Sequence, residues 1–203
     1  MPKHYEILDK TIAYDGYFKI LKYRFRHGLF EGGSSEPLER ELFERGHAVA
    51  VLPYDAERDS VLLVEQFRVG ALEAPRGPWL MEIVAGMVEP GETPESVARR
   101  EAVEEAGCTV RELVPICRYL VSPGGTSEQV SLFAARADLS DVGGIHGLDH
   151  EGEDIRAHVV PFEQAMDMLS GGIIHVAPAL IALQWLALNR ERLRDLWLEP
   201  WSG

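Results

Sequence analysis

Two runs near the N-terminus, YEILDKTIAY (5–14) and YFKILKYRFRH (17–27), interleave aromatic and β-branched residues with charges. They flank Asp15-Gly16, and Asp-Gly between such runs predicts a β-hairpin. A Gly/Ser-rich loop, GLFEGGSSEP (28–37), then leads to LERELFER (38–45), which can continue the sheet as a third strand. Composition shifts near Gly46. Beyond it HAVAVLPYD (47–55) and SVLLVEQFRVG (60–70) read as apolar strands joined by the turn AERD. We therefore expect a β-domain over 1–46 and a second domain over 47–203. A three-strand sheet with little core of its own is marginal alone and should pack on another surface.

Further along, strand-like runs alternate with loops: WLMEIVAG (79–86), PICRYLVS (115–122), VSLFAARAD (130–138) and IRAHVVPF (155–162). Thr93-Pro94-Glu95 reads as a helix start, with Thr93 as N-cap and Pro94 in the first turn. Ala98, Ala102 and Ala106 line one side of that helix, where small residues allow close approach to a neighbour. A second helix through EQAMDML should stop at Gly171-Gly172. ALIALQWLALNRERLRDLWL (179–198) predicts a long amphipathic helix. Strands and helices mixed without βαβ regularity point to an α+β sandwich.

Composition narrows the function. A formal net charge of −13 with a pI near 5.0 disfavours a nucleic-acid partner. It leaves room for a small phosphorylated substrate whose charge a metal ion neutralises. Cys108 and Cys117 have no metal-ligand spacing and flank apolar residues, so both are expected to be buried free thiols in a reducing cytoplasm. The opening MPKHYEILDK is polar and no apolar run is long enough for a membrane, so no membrane partner is expected.

The chemistry concentrates in GMVEPGETPESVARREAVEEAGC, from Gly86 to Cys108. On a helix, Glu101, Glu104 and Glu105 stand at i, i+3 and i+4, so three carboxylates share one face and repel. A hard divalent cation with oxygen ligands, such as Mg²⁺, would relieve that repulsion. Glu101 and Glu105, one turn apart, are the best candidates for direct ligands. Glu104 can bind a second ion directly or through water. Ala85 and Gly86 can offer backbone carbonyls, since Gly86 has no Cβ to block approach. Arg100 has only donors and cannot ligate metal, so it is expected to tie Glu92 across the loop–helix junction. For an isolated E-x-x-E-E, a solvated acidic helix face would be the better reading.

The whole run, however, resembles the Nudix box, G-x5-E-x7-R-E-U-x-E-E-x-G-U with U apolar. Gly86, Glu92, Arg100, Glu101, Glu104, Glu105 and Gly107 each occupy a fixed position. Ala102 and Cys108 stand at U positions with smaller residues than usual, a departure that concerns packing alone. The resemblance implies cleavage of a nucleoside diphosphate linked to another group. Hydrolysing P–O–P needs a nucleophilic water and neutralised phosphoryl oxygens, and clustered Mg²⁺ (or Mn²⁺) supplies both.

Downstream residues resemble one branch of that family, the bacterial ADP-ribose pyrophosphatases. Pro123, within Ser122-Pro123-Gly124-Gly125-Thr126-Ser127-Glu128, stands where that branch has a proline beyond the box. GIHGLDHEGEDIRAHVV (144–160) also looks like that branch, whose loop carries an acidic pair. One member activates water and the other helps to bind Mg²⁺; Glu151 and Glu153 match those places. By the same similarity Arg40, Arg45 and Arg68 look like contacts for the adenine end or the phosphates, a role suited to forked guanidinium hydrogen bonds. Tyr17, or its neighbour Phe18, stacks on adenine across a dimer, with core or dimer packing as the competing reading. Ser122 belongs to the substrate loop, and Glu128 is read against the ribose or a metal. His47, entering an apolar strand, is read as structural. Members of the branch are homodimers whose N-terminal β-domains exchange, which agrees with the need of that sheet for a covering surface.

These expectations combine into a Nudix α/β/α sandwich with an N-terminal antiparallel β-domain. It would hydrolyse ADP-ribose to AMP and ribose 5-phosphate with Mg²⁺, using Glu101, Glu104, Glu105 and Glu151 in catalysis and Glu153 as a further metal ligand. The rivals are a Nudix hydrolase of a nucleotide sugar or dinucleoside polyphosphate, and a non-catalytic ADP-ribose sensor. The segment 139–152 is long, glycine-rich and acidic at its end, which suits a lid.

Overall fold

A computed structural model describes residues 3–198 of the chain. Two compact units emerge: one takes in the chain up to His47 together with Tyr119–Gln129, the other Ala48–Arg118 and the chain from Val130 on. The division is thus not sequential, because a loop from the middle of the chain belongs with the N-terminal strands.

In the first unit, β1 (Tyr5–Asp15), β2 (Lys19–His27) and β3 (Leu38–Glu44) form an antiparallel sheet in that order. The predicted hairpin is present, with Gly16-Tyr17-Phe18 as its loop and Asp15 ion-paired to Lys19 at 3.0 Å. Every residue of β1 is exposed, whereas β2 buries Leu21. The Ser122–Glu128 loop joins this unit through a backbone bond from Phe43 N–H to the Gly125 carbonyl, 2.8 Å.

In the second unit, the core strand β4 (Ala48–Asp55) runs parallel to β9 (Gln129–Ala137). Its other edge is shared: β7 (Val84–Met87) pairs with its first half and β5 (Ser60–Phe67) with its end. The sheet continues from β5 through β11 (Ile155–Pro161) to β10 (Gly144–His146), and from β9 to β8 (Val110–Leu120). A short β6 (Trp79–Glu82) adds to β5. The single strand expected at 79–86 is therefore two, broken at Ile83 because its halves pair with different neighbours. The strand expected from 115 begins at Val110.

Strand alternation sends β4 residues to two faces. Val49 and Val51, with Leu62 and Val64 of β5, pack against Val97, Ala98, Ala102 and Ala106 of helix α1 (Pro94–Ala106). Tyr54 lies on the opposite face beside Trp197 of the long helix α3 (Ala177–Leu198), ring centroids 6.2 Å apart. Tyr54 Oη donates to Asp59 at 2.6 Å, and Asp59 also holds Arg190 and Arg194 of α3. The Arg190 guanidinium covers the Phe162 ring at 4.2 Å, joining α3 to α2 (Phe162–Ser170). Burial pushes the Tyr54 phenol up to about 12, so it stays a donor to Asp59 throughout the working pH range. Each fully buried Val or Leu of this core contributes about 1.5–3 kcal/mol against leaving it in water. Cys108 is buried as expected, but Cys117 is exposed, on the outer strand β8. Among the described residues no helix is long and apolar enough to cross a membrane.

Candidate active site

Helix α1 begins as its sequence predicts. Thr93 Oγ1 accepts from Ser96 N–H at 3.2 Å, Ser96 Oγ accepts from Thr93 N–H at 3.0 Å, and Pro94 occupies the first turn. Such a cap contributes about 1 kcal/mol. Gly107 closes the helix in the left-handed conformation, φ 60°, where a glycine carries no Cβ strain. With the alanine face turned to the core, the glutamate face meets β7.

Glu105 is only 2% exposed. Its Oε2 accepts from Ala85 N–H at 3.0 Å and its Oε1 from Gln66 Nε2 at 3.5 Å. Burial pushes this carboxyl up to about 8, with Glu101 and Glu153 adding repulsion while the Ala85 N–H and Arg68 oppose the shift. Glu101 is also raised, chiefly by burial, with Arg100 opposing. A Cβ on Gly86 would collide with the Glu101 carboxylate, so this position needs glycine for a close approach.

Arg100 is where structure departs from expectation. It does tie Glu92, Nε to Oε1 at 2.9 Å, and so holds the Glu92 carboxyl below its usual range. Its Nη1 also lies between Glu101 at 2.7 Å and Glu104 at 2.8 Å. The repulsion among box carboxylates is thus relieved by a guanidinium. Among the described residues no group of three or more acidic, His or Cys side chains is gathered in a metal-holding arrangement. Of the expected set, Arg100 engages Glu101 and Glu104, while Glu105 accepts from Ala85 N–H and Glu153 from Leu148 N–H.

The donor chemistry nevertheless fits a hard cation. The oxygens are carboxylates and backbone carbonyls, Gly86 leaves a cradle that a Cβ would fill, and Glu105 is a buried carboxyl whose ionisation needs a positive neighbour. Glu153 is close enough to raise both Glu101 and Glu105, and its Oε2 accepts from Leu148 N–H at 3.2 Å. Glu151 sits in a 3-10 turn, side chain 56% exposed, beside His150 at 3.6 Å. The expected lid is tied down at its middle: β10 pairs with β11, and Gly147 N–H donates to the Glu104 carbonyl at 3.2 Å.

The remaining predicted residues divide between the units. In the second, Arg68 Nε and Nη2 both reach Glu82 Oε2 at 2.9 Å. Glu82, buried, was not singled out in the sequence; its one signal was a lone acid within the apolar run WLMEIVAG. Gln66 was missed likewise. In the first unit, Tyr17 is 93% exposed and meets Phe18 edge-on at 4.7 Å. Arg45 lies over Phe18 at 5.2 Å and 3.6 Å from the buried carboxylate of Glu128. Arg40 is exposed on β3, its Nη1 donating to the Glu39 carbonyl. Ser122 opens a tight turn, its carbonyl accepting from Gly125 and Thr126 N–H. His47 accepts from Gln129 N–H through Nδ1 at 3.2 Å, a backbone tie in keeping with its structural reading.

The NUDIX domain family matches residues 44–180. The chain belongs to the Nudix family. Its α1 is the Nudix box helix, and the Arg100 network is built wholly from box residues. An ADP-ribose pyrophosphatase of Escherichia coli (strain K12) is 50% identical over 192 residues, covering 95% of this chain and 92% of that one. A GDP-mannose pyrophosphatase of Enterobacter sp. (strain 638) is 35% identical over 188 residues, covering 91% and 95%. The crystal structure of an ADP compounds hydrolase superposes with TM-score 0.69 at 21% identity, covering 95% of each chain, and so shares the fold.

Proposed function

We propose that this Nudix enzyme hydrolyses the diphosphate of ADP-ribose to AMP and ribose 5-phosphate with Mg²⁺. The observation that carries the reading is Glu105: a buried carboxyl on the box helix, oriented by strand donors and raised to about 8, with Glu101 set into the Gly86 cradle beside it. The 50% identity to an ADP-ribose pyrophosphatase over nearly the full chain supports the substrate.

Glu101, Glu105 and the Ala85 carbonyl would hold the cation, with Glu104 and Glu153 assisting. Bound Mg²⁺, or Mn²⁺ in its place, would neutralise phosphoryl charge and lower the pKa of an attacking water. Arg100 engages one oxygen each of Glu101 and Glu104, which leaves their other lone pairs for a cation, while its tie to Glu92 anchors the helix. Glu151 is our candidate to accept the proton of the attacking water; its exposure on a short turn leaves it able to reach a substrate. Arg68, fixed by Glu82, presents its guanidinium to a phosphate. Arg40, Arg45, Tyr17, Ser122 and Glu128 form the proposed adenosine and ribose contacts. We also read residues 1–46 as the dimer-forming domain, exchanged between two copies; the unburied apolar residues of β1 support this. We also propose a cytoplasmic setting, which the free thiols of Cys108 and Cys117 suit, with no membrane partner and no nucleic-acid partner, the latter disfavoured by the acidic charge.

A second reading, hydrolysis of a nucleotide sugar, is favoured by the 35% identity to a GDP-mannose pyrophosphatase. A panel of ADP-ribose, GDP-mannose and diadenosine polyphosphates, compared by kcat/KM, separates the two. Preference for ADP-ribose by an order of magnitude or more is expected; equal or better turnover of GDP-mannose overturns the assignment.

A further inference from the structure

Gln66 stands at the point where one row of β5 changes character. Leu62, Val64 and Gln66 of β5, with Arg68 just beyond its end, follow one another at alternate positions, and the first two pack against α1. The first two are fully buried and apolar, and Arg68 reaches Glu82. Gln66 between them is 6% exposed, and a buried amide in such a row is unfavourable unless it is hydrogen-bonded. Its side chain is directed at Glu105, Nε2 to Oε1 at 3.5 Å.

Glu105 therefore receives one donor on each oxygen, from two different strands. Ala85 N–H of β7 holds Oε2 and Gln66 of β5 holds Oε1. A carboxylate held at one oxygen can still swing about its terminal torsion, whereas donors on both oxygens define its plane. Two bonds occupy two of about four lone-pair sites and leave the others for a cation. The backbone donor is common to every residue but proline, so Gln66 is the half of this grip that depends on side-chain identity.

We propose that Gln66 is a positioning residue that sets the plane of the Glu105 carboxylate for binding a divalent cation. The inference rests on reading Glu105 as a metal ligand. It adds a residue outside the box, 39 positions before Glu105 in the chain, to the machinery of the site. Partners of this kind that orient a metal ligand typically change metal affinity about 10–100-fold when removed.

The test is Mn²⁺ binding to the substrate-free protein, followed by electron paramagnetic resonance, in a double-mutant cycle. The variants are Gln66→Met, Glu105→Gln and the pair. Methionine keeps the length and volume of the side chain without its donors. Gln66→Met is expected to weaken Mn²⁺ binding about 10–100-fold, and to change it less than about twofold when Glu105 is already Gln. Unchanged Mn²⁺ affinity in Gln66→Met, or the same loss in both backgrounds, overturns the proposal in favour of a purely structural amide. If Glu105→Gln itself leaves Mn²⁺ affinity intact, the reading of Glu105 as a ligand falls first. Should Gln66→Met not fold, Gln66→Leu enters the same cycle with the same criteria.

Discussion

Strands β1 and β4 are made of similar material and have opposite fates. Both carry β-branched and aromatic residues, yet all of β1 is exposed and nearly all of β4 is buried. Tyr5, Ile7, Ile12 and Tyr14 of β1 face solvent, while Val49, Val51, Leu52 and Tyr54 of β4 are sealed by helices on both faces. The difference lies in what the rest of each unit can offer. Among the described residues the second unit has the helices α1, α2 and α3 to cover its sheet, whereas the first has strands and loops. A strand of this composition gains stability only when something covers it. The contrast thus separates a covered sheet from one whose first strand is left in solvent.

The largest mutational effect is expected on the box helix of the second unit. Glu105→Gln should keep the fold and reduce ADP-ribose turnover by orders of magnitude, because a charged ligand is lost with little change of shape. Glu151→Gln should lower kcat about 10²–10⁴-fold with little change in substrate binding, whereas Glu153→Gln should raise the Mg²⁺ concentration needed for half activity. If Glu151→Gln is nearly silent while Glu104→Gln is inactive, the base lies on α1.

Next comes a matched pair of truncations. Leu62→Ala in the core should cost about 2–5 kcal/mol in chemical denaturation. Ile12→Ala on β1 should change the stability of a dilute monomer by no more than about 0.5 kcal/mol, yet weaken self-association measured by sedimentation. Equal effects of the two on monomer stability would erase the distinction between the units.

A smaller effect is linked to pH. The folded Glu105 carboxyl is raised to about 8 from an ordinary carboxyl value near 4.5. Below both values it is protonated whether folded or not, and contributes nothing. Between them the unfolded chain releases a proton that the folded chain keeps, so metal-free stability falls as pH rises and the loss is complete above about 8. Thermal melts of chelated protein from pH 5 to 8.5 should show a decline of a few kcal/mol that Glu105→Gln removes. A flat profile in the parent chain would contradict the burial argument. The smallest effect is local: Thr93→Ala should cost about 1 kcal/mol of stability by unmaking the cap of α1, measured by urea unfolding, without altering self-association.

Much of this was legible in the residues because it is local. Asp15-Gly16 between β-rich runs sufficed for the hairpin, and Thr93-Pro94 for the start of α1. Ala98, Ala102 and Ala106 marked the buried face, and Glu92 with Arg100 their tie. What escaped depends on neighbours remote in the chain. The break at Ile83 follows from β6 and β7 choosing different partners, and β10 exists only because β11 offers it an edge. Cys117 looked burial-prone from its apolar flanks but lies on an outer strand.

By itself, then, the sequence determined the periodicities, the caps and the set of charged groups on one helix face, all of which depend on spacings of a few residues. Only the tertiary structure decided how those charges are satisfied. Arg100 bridges Glu101 and Glu104, Ala85 and Gln66 grip Glu105, and Glu82 holds Arg68. The reason is physical: a carboxylate's charge and direction depend on desolvation and on donors brought by other strands, and those terms exist only once the sheet has assembled around the helix.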